Sequence, residues 1–221
     1  MGHRRHRLHE QRDRWPSTFV LHTMALFTSQ DPEKVVSEIA RRIAGISRPI
    51  VAVDGRVGIG VGAGNSRLAK LTARRLSALH LDLDSYVAPE AAYSLGYIAN
   101  LQFDVVRRDF DRARGGVILS GACVRDALYG LGRDATVHAY VKCWNTFLDC
   151  WDDEEVCDLP SMSDVPGDAS PLDRELMEYH ARWQPHRRAA VEWHNAGESL
   201  PARTDRHRTG WSDKPALSSR G

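Results

Sequence analysis

One segment constrains this chain more than any other: the run Val51-Ala-Val-Asp-Gly-Arg-Val-Gly-Ile-Gly-Val-Gly-Ala-Gly-Asn-Ser66. An apolar stretch feeds a glycine-rich loop, and the loop feeds the helical pattern Arg67-Leu-Ala-Lys-Leu-Thr-Ala-Arg-Arg-Leu76. A strand, a flexible loop and a helix in that order place backbone N–H groups at a helix N-terminus, where they cradle phosphate. The same loop read as a ligand-free turn between strand and helix is the plainer alternative.

Register refines the reading. In the phosphate-binding motif G-x-x-x-x-G-K-[ST], lysine and a hydroxyl follow the second glycine. Aligning Gly55 with Gly60 keeps the glycine spacing but puts Val61 and Gly62 in the lysine and hydroxyl positions. Aligning Gly64 and Ser66 keeps the hydroxyl, puts Asn65 in place of lysine and leaves Ile59 at the first glycine. The second register is better, because Ser66 then opens a helix whose Leu68, Leu71, Leu76 and Leu79 fall near one face. Gly60, Gly62, Gly64, Asn65 and Ser66 are the expected nucleotide cradle, with Arg67 as a partial substitute for the missing charge. A glycine nest binds anions without lysine, but it lacks a fixed positive charge on the transferring phosphate.

At 221 residues the chain has the length for one α/β domain with tails, and its net charge of +1 gives no global case for nucleic acid or membrane. Its four cysteines do not read as a disulfide framework. No apolar run of about 18 residues is present, and a cytoplasmic, reduced protein is expected. Residues 1–30 read as a basic leader, rich in His and Arg up to Arg14, either disordered or an arm for an acidic partner. Met24 begins a more ordinary start and is the expected initiator. Residues 31–196 form the expected domain, and 197–221 a Ser/Pro/Arg-rich tail.

Within the domain, Asp31-Pro32-Glu33 reads as an N-cap, a first-turn proline and an early acid, opening a helix to about Ala44. Val35, Val36, Ile39 and Ile43 form its apolar face. Ile50 to Val53 reads as a strand buried on both faces. The spacing then predicts a strand Leu79–Asp84, a helix Phe103–Arg114, a strand Val117–Val124, a helix Arg125–Leu131 and a strand Thr136–Val141. This alternation predicts a three-layer α/β/α sandwich with a mainly parallel sheet. Ligands of such sheets bind beyond the carboxyl ends of the strands, which gathers the glycine loop, Asp82, Asp84 and Ser120 on one edge.

The ordered series IVAVDG, glycine loop, SRLAKLTARRL, LDLDSYV, FDVVRRDFDRA, GVILSGACVRDAL and VHAYVK, over about residues 50–142, resembles the uridine kinase-like branch of P-loop nucleoside kinases. The stretch Glu178–Trp193 resembles that family's final helix and strand. The resemblance implies a P-loop NTPase fold, ATP and Mg²⁺ as cofactors, and phosphorylation of a nucleoside or similar hydroxyl compound. It implies Asp84 as the base for the acceptor hydroxyl, with Ser66 and Asp84 ordering the Mg²⁺ shell. Asp82, two residues earlier, is available to the same shell, and Tyr86, Phe103 and Asp104 resemble nucleoside contacts.

The departures from that family gather on one chemical step. Ser120 stands where the family has an acid, and the lid-like stretch Cys143–Glu155 is acidic and has no arginine. Loss of lysine, acid and lid arginines makes an inactive, pseudokinase-like nucleotide-binding or interaction module the alternative. Cys143, Cys150 and Cys157 recur every seven residues, with Trp144 and Trp151 in step. On a helix this spacing puts them about 10 Å apart per step, too far to share a zinc ion, so a buried or partner-facing helical stripe is expected. His180, His186 and His194 match no single-helix ligand spacing, and no metal is assigned to them. Homo-oligomerisation is left open, and a nucleic-acid partner is not favoured.

Overall fold

The computed structural model describes residues 25–55, 64–88, 94–145, 150–151, 167 and 169–196. The basic run to Arg14, Met24, Gly60, Gly62, Cys157 and the 197–221 tail lie outside these residues. In chain order the elements are β1 (Phe27–Ser29), α1 (Pro32–Arg42), β2 (Ile50–Gly55), α2 (Asn65–Leu76) and β3 (Leu79–Asp82). There follow a 3₁₀ turn (Leu83–Tyr86), α3 (Tyr97–Asn100), α4 (Phe103–Arg112), β4 (Val117–Ser120) and α5 (Val124–Leu131). The last are β5 (Val137–Asn145), β6 (Cys150–Trp151), α6 (Pro171–Trp183), α7 (Pro185–Arg188) and β7 (Val191–Asn195).

The six parallel strands lie in the order β1-β7-β5-β2-β4-β3, with β5 and β2 at the centre. Strand alternation divides the interior into two layers. Val51, Val53, Ile118, Val137, Ala139, Val141 and Val191 pack with Val35, Val36 and Ile39 of α1 and Leu68 and Ala69 of α2. Ala52, Leu81, Val117 and Leu119 pack on the opposite face with Val106 and Phe110 of α4, Leu128 of α5 and Tyr179 and Trp183 of α6. The architecture is the three-layer α/β/α sandwich that the alternation predicts.

Local rules account for the helix ends. The Asp31 carboxylate accepts the Glu33 N–H at 2.9 Å and Pro32 fills the first turn of α1. Ser170 and Pro171 open α6 in the same way, and Gln184 in a left-handed conformation (φ 46) closes it.

Several boundaries differ from the sequence reading. β1 falls inside the expected leader: Phe27 to Ser29 pair with Val191 to Trp193, a pairing too short to leave a periodic signal. The strand expected over Leu79–Asp84 is β3 and stops at Asp82, where the chain tightens into the 3₁₀ turn that carries Asp84. Leu79 begins β3 and is 39% exposed, so it does not extend the apolar face of α2. The strand expected over Val117–Val124 is β4 and ends at Ser120, because Gly121 (φ 139) and Cys123 (φ 52) turn the backbone into α5.

The largest correction concerns the seven-residue repeat. Cys143 lies in strand β5, and β6 returns antiparallel to it with Trp144 opposite Trp151 and Asn145 opposite Cys150. The period marks a strand and its return, not one face of a helix.

Candidate functional site

The glycine loop leaves the end of β2 at Gly55 and re-enters the described chain at Gly64. Gly64 has φ 96, and a Cβ there would sit 2.8 Å from Asn195 Nδ2 and 2.9 Å from Trp193 Cζ3. Only glycine combines that backbone with so close an approach to the end of β7.

Asn65, in the lysine position, is buried and turned inward. Its Nδ2 donates to the Gly121 carbonyl at 3.3 Å, and its Oδ1 accepts the Ser66 N–H at 2.9 Å. The side chain ties the start of α2 to the turn after β4. The Arg67 guanidinium lies over the Trp193 ring, 5.8 Å from the centroid. Ser66 lies in the first turn of α2. Its Oγ donates to Asp82 Oδ2 at 2.9 Å, joining the first turn of α2 to the end of β3. Asp82 Oδ1 is buried and accepts no hydrogen bond among the described residues.

Asp84 sits beyond Asp82 on the 3₁₀ turn, where Tyr97 Oη donates to its Oδ1 at 2.6 Å. Partial burial is the main cause that raises the Asp84 carboxyl above its usual range. The neighbouring Asp82 charge adds to this, while Tyr97 and the Ala122 N–H oppose it. Gly121 makes the approach possible, since a Cβ at that residue would lie 2.8 Å from Tyr97 Oη and 3.2 Å from Asp84 Oδ1. Glu175, reaching over from α6, accepts the backbone N–H groups of Tyr97 and Ile98 and so holds α3 in place.

Ser120 is fully buried and engaged elsewhere, with its Oγ 2.8 Å from His80 Nε2. Burial lowers the pKa of His80, Lys70 adds to the effect and Asp82 opposes it.

Two of the three expected nucleoside contacts are engaged within the protein. Tyr86 packs against the core and donates to Asp109 Oδ2 at 3.2 Å. Phe103 packs against α5, its Cε1 only 2.5 Å from where a Cβ on Gly130 would be. Asp104 is exposed in the first turn of α4.

A second polar group, which spacing gave no means of finding, lies beneath the edge. Asp54, the penultimate residue of β2, is completely buried. Its Oδ1 accepts the Gly55 N–H at 3.1 Å, and Tyr179 Oη donates to Oδ2. His138 Nε2 lies 3.4 Å from the same oxygen and accepts Arg125 Nε at 3.3 Å, while the Arg125 N–H donates to Tyr179 Oη at 3.2 Å. Burial drives the pKa of His138 down, assisted by Arg125 and opposed by Asp54, so the ring is neutral. The available signal was the Asp-Gly pair ending the strand, but its partners lie 84 and 125 residues away. Beside this group His180 and His186 come together around Tyr140, with His180 Nε2 3.2 Å from Tyr140 Oη. His194 is apart from them, 3.0 Å from Glu192 Oε2. Among the described residues no three His, Cys, Asp or Glu side chains form a metal-holding group.

Comparison of the chain with protein-family models, with curated proteins and with solved structures gives no match. What the fold and the edge define is therefore a class: a parallel three-layer α/β protein with a helix N-terminus, a hydroxyl and two carboxylates at the carboxyl ends of its strands. No helix among the described residues is long and apolar enough to cross a membrane.

Proposed function

We propose that this chain is a uridine kinase-like nucleotide-binding protein of the P-loop NTPase type, which uses ATP and Mg²⁺ to phosphorylate a nucleoside or a similar small hydroxyl compound in the cytoplasm. The observation that carries the reading is the Ser66–Asp82 hydrogen bond, 2.9 Å long, at the start of the helix that follows the glycine loop. A helix-opening hydroxyl held against a strand-end carboxylate, beside a glycine loop on a central strand, is the arrangement that phosphate and its cation require.

The residues fit a divalent cation. Asp82 Oδ1 is a buried acceptor without a donor, and neither Asp82 nor Asp84 forms an ion pair among the described residues. Ser66 and Asp84 would hold it, and when bound it would neutralise charge on the phosphates. Asp84 would accept the acceptor hydroxyl's proton at a carboxylate oxygen, with Tyr97 fixing the orientation of that carboxylate.

A second reading, a nucleotide-binding or protein-interaction module without turnover, is favoured by Asn65 and Arg67. The first is tied to Gly121 and the second lies on Trp193, so neither supplies the charge that the missing lysine would.

Thermal unfolding of the whole chain with and without ATP and Mg²⁺ tests nucleotide binding. ATP at a hundred times its Kd stabilises the fold by about 2.7 kcal/mol, a shift of about 5 °C or more. A Mg²⁺-dependent shift supports binding, and an acceptor screen then separates the two readings. No shift at millimolar ATP removes both nucleotide-based readings.

A further inference from the structure

We propose that Lys142, on the strand beside β2, supplies the positive charge that the glycine loop lacks, by turning from Glu192 to the phosphates of a bound nucleotide. The proposal rests on the nucleotide-binding reading above and names the side chain that holds the phosphate in it.

Strand register places Lys142 between the two described ends of the glycine loop. Gly55, where the loop leaves β2, stands beside Val141 of β5. Gly64, where the loop rejoins α2, abuts Trp193 and Asn195 of β7, the strand partners of Val141 and Cys143. Lys142 is the residue between Val141 and Cys143, on a strand about 4.8 Å from β2.

The side chain is anchored in a way that permits its release. Glu192 is buried, and its Oε2 lies 3.6 Å from Lys142 Nζ and 3.0 Å from His194 Nε2. The lysine contact is an ion pair longer than a charge-assisted hydrogen bond, which is about 2.7–2.9 Å. A buried carboxylate stripped of every partner is costly, but His194 stays beside Oε2 when the ammonium turns away. The Lys142 side chain is 20% exposed, and a lysine ammonium is a compact charge on a flexible four-carbon stem.

Strand order gives the charge a use. Lys142 flanks β2 on the β5 side, and Asp84 follows β3 on the other side. Lys142 shares its sheet face with Tyr140 and Glu192, and Asp84 is also held from the α6 side, through Tyr97 and Glu175. A phosphate at the loop would have the ammonium on one flank and the carboxylate on the other. A fixed cation there stabilises the charge that develops on a transferring phosphoryl group.

The test titrates the full chain by calorimetry with ATP and Mg²⁺ and, separately, with inorganic triphosphate and Mg²⁺. ATP binding that weakens at least tenfold in Lys142→Met and is unchanged in Lys70→Met supports the assignment. Lys70 is exposed on α2, so its variant removes the same charge away from β5. Circular dichroism verifies the fold of each variant. If Lys142→Met does not fold, acetylation of Lys142 in the wild-type protein, read by mass spectrometry, decides; saturating ATP should suppress it. Wild-type affinity in Lys142→Met, an equal loss in Lys70→Met, or acetylation undiminished by bound ATP overturns the proposal while sparing the nucleotide reading. Triphosphate bound through Lys142 without any ATP binding has the opposite meaning: the lysine stands and the nucleotide reading falls. Binding of neither compound overturns both.

Discussion

The two faces of the sheet are built from alternate residues of the same strands, yet they are held in different ways. Toward α1 and α2, Val51, Val53, Ile118, Ala139, Val141 and Val191 present hydrocarbon to hydrocarbon. Toward α5, α6 and α7, the intervening positions of the three strands β2, β5 and β7 include Asp54, His138, Tyr140 and Glu192, all buried. Burial of apolar area is strong but non-directional, whereas hydrogen bonds require particular partners at particular angles. The first face anchors the sandwich, and the second specifies where α6 sits. That placement matters for the edge, because α6 carries both Tyr179, which reaches Asp54, and Glu175, which holds the helix bearing Tyr97. The orientation of Asp84 thus depends on a helix distant in sequence.

The sharpest way to break this comparison is on the apolar face. Leu68 is completely buried between α2 and the sheet, and Leu68→Ala is expected to cost about 2–5 kcal/mol from lost burial and the cavity left behind. Urea unfolding measures it, and a loss below 1 kcal/mol, by about the size of ordinary surface effects, would show that this face is loosely packed. On the polar face, Tyr179→Phe keeps the ring but withdraws a donor from the buried Asp54 carboxylate. A loss of about 1–3 kcal/mol is expected. The variant also tests coupling: a change in the near-ultraviolet signal of Tyr97 would connect α6 to the edge.

The acid response should come first from the polar face. His138 is held neutral, so below its ordinary pKa of 6.5 the unfolded chain binds a proton that the folded chain refuses. The stability this supplies is complete above 6.5 and falls as pH drops toward the lowered folded value, by up to about 1.4 kcal/mol per pH unit. Comparing the midpoints of His138→Gln and wild type at about pH 7.5 and about pH 5.5 checks the slope, which the variant should flatten.

The smallest effect is expected on the outer side of α1, where hydrogen bonds from Arg41, with Arg42 assisting, hold Glu38 at a pKa of about 2. This pair group contributes above the usual 4.5 and is lost as pH falls through about 2. With Arg41 largely in solvent, Arg41→Ala at neutral pH should shift the urea-unfolding midpoint less than Leu68→Ala or Tyr179→Phe does.

Much of the scaffold was legible because its causes are local. Val35, Val36, Ile39 and Ile43 recur at helical spacing and are all buried, and Asp31-Pro32 marks the start of α1 by satisfying a free N–H and fixing φ. The all-apolar run at β2 announced a strand covered on both faces. That Ser66 and Asp82 meet at one edge of the sheet was legible, because ends of strands in an alternating β/α chain share an edge. Phe103 was not legible as core, since an aromatic at a helix start has the same local pattern whether it faces a ligand or a neighbouring helix. The Cys/Trp repeat misled for a related reason: seven residues fit two helical turns as well as a strand and its return.

By itself, then, the amino-acid sequence determined the order of the longer strands and helices from α1 to β5 and which strand residues are apolar, since short-range sterics and the avoidance of water act over a few residues. Tertiary structure alone decided the partners. It turned Asn65 toward Gly121, seated Arg67 on Trp193, enclosed Asp54 between Tyr179 and His138, and set Asp82 beside Ser120. A polar side chain's direction is chosen by whichever donor or acceptor the folded chain brings within about 3 Å, and that neighbour is far away in sequence.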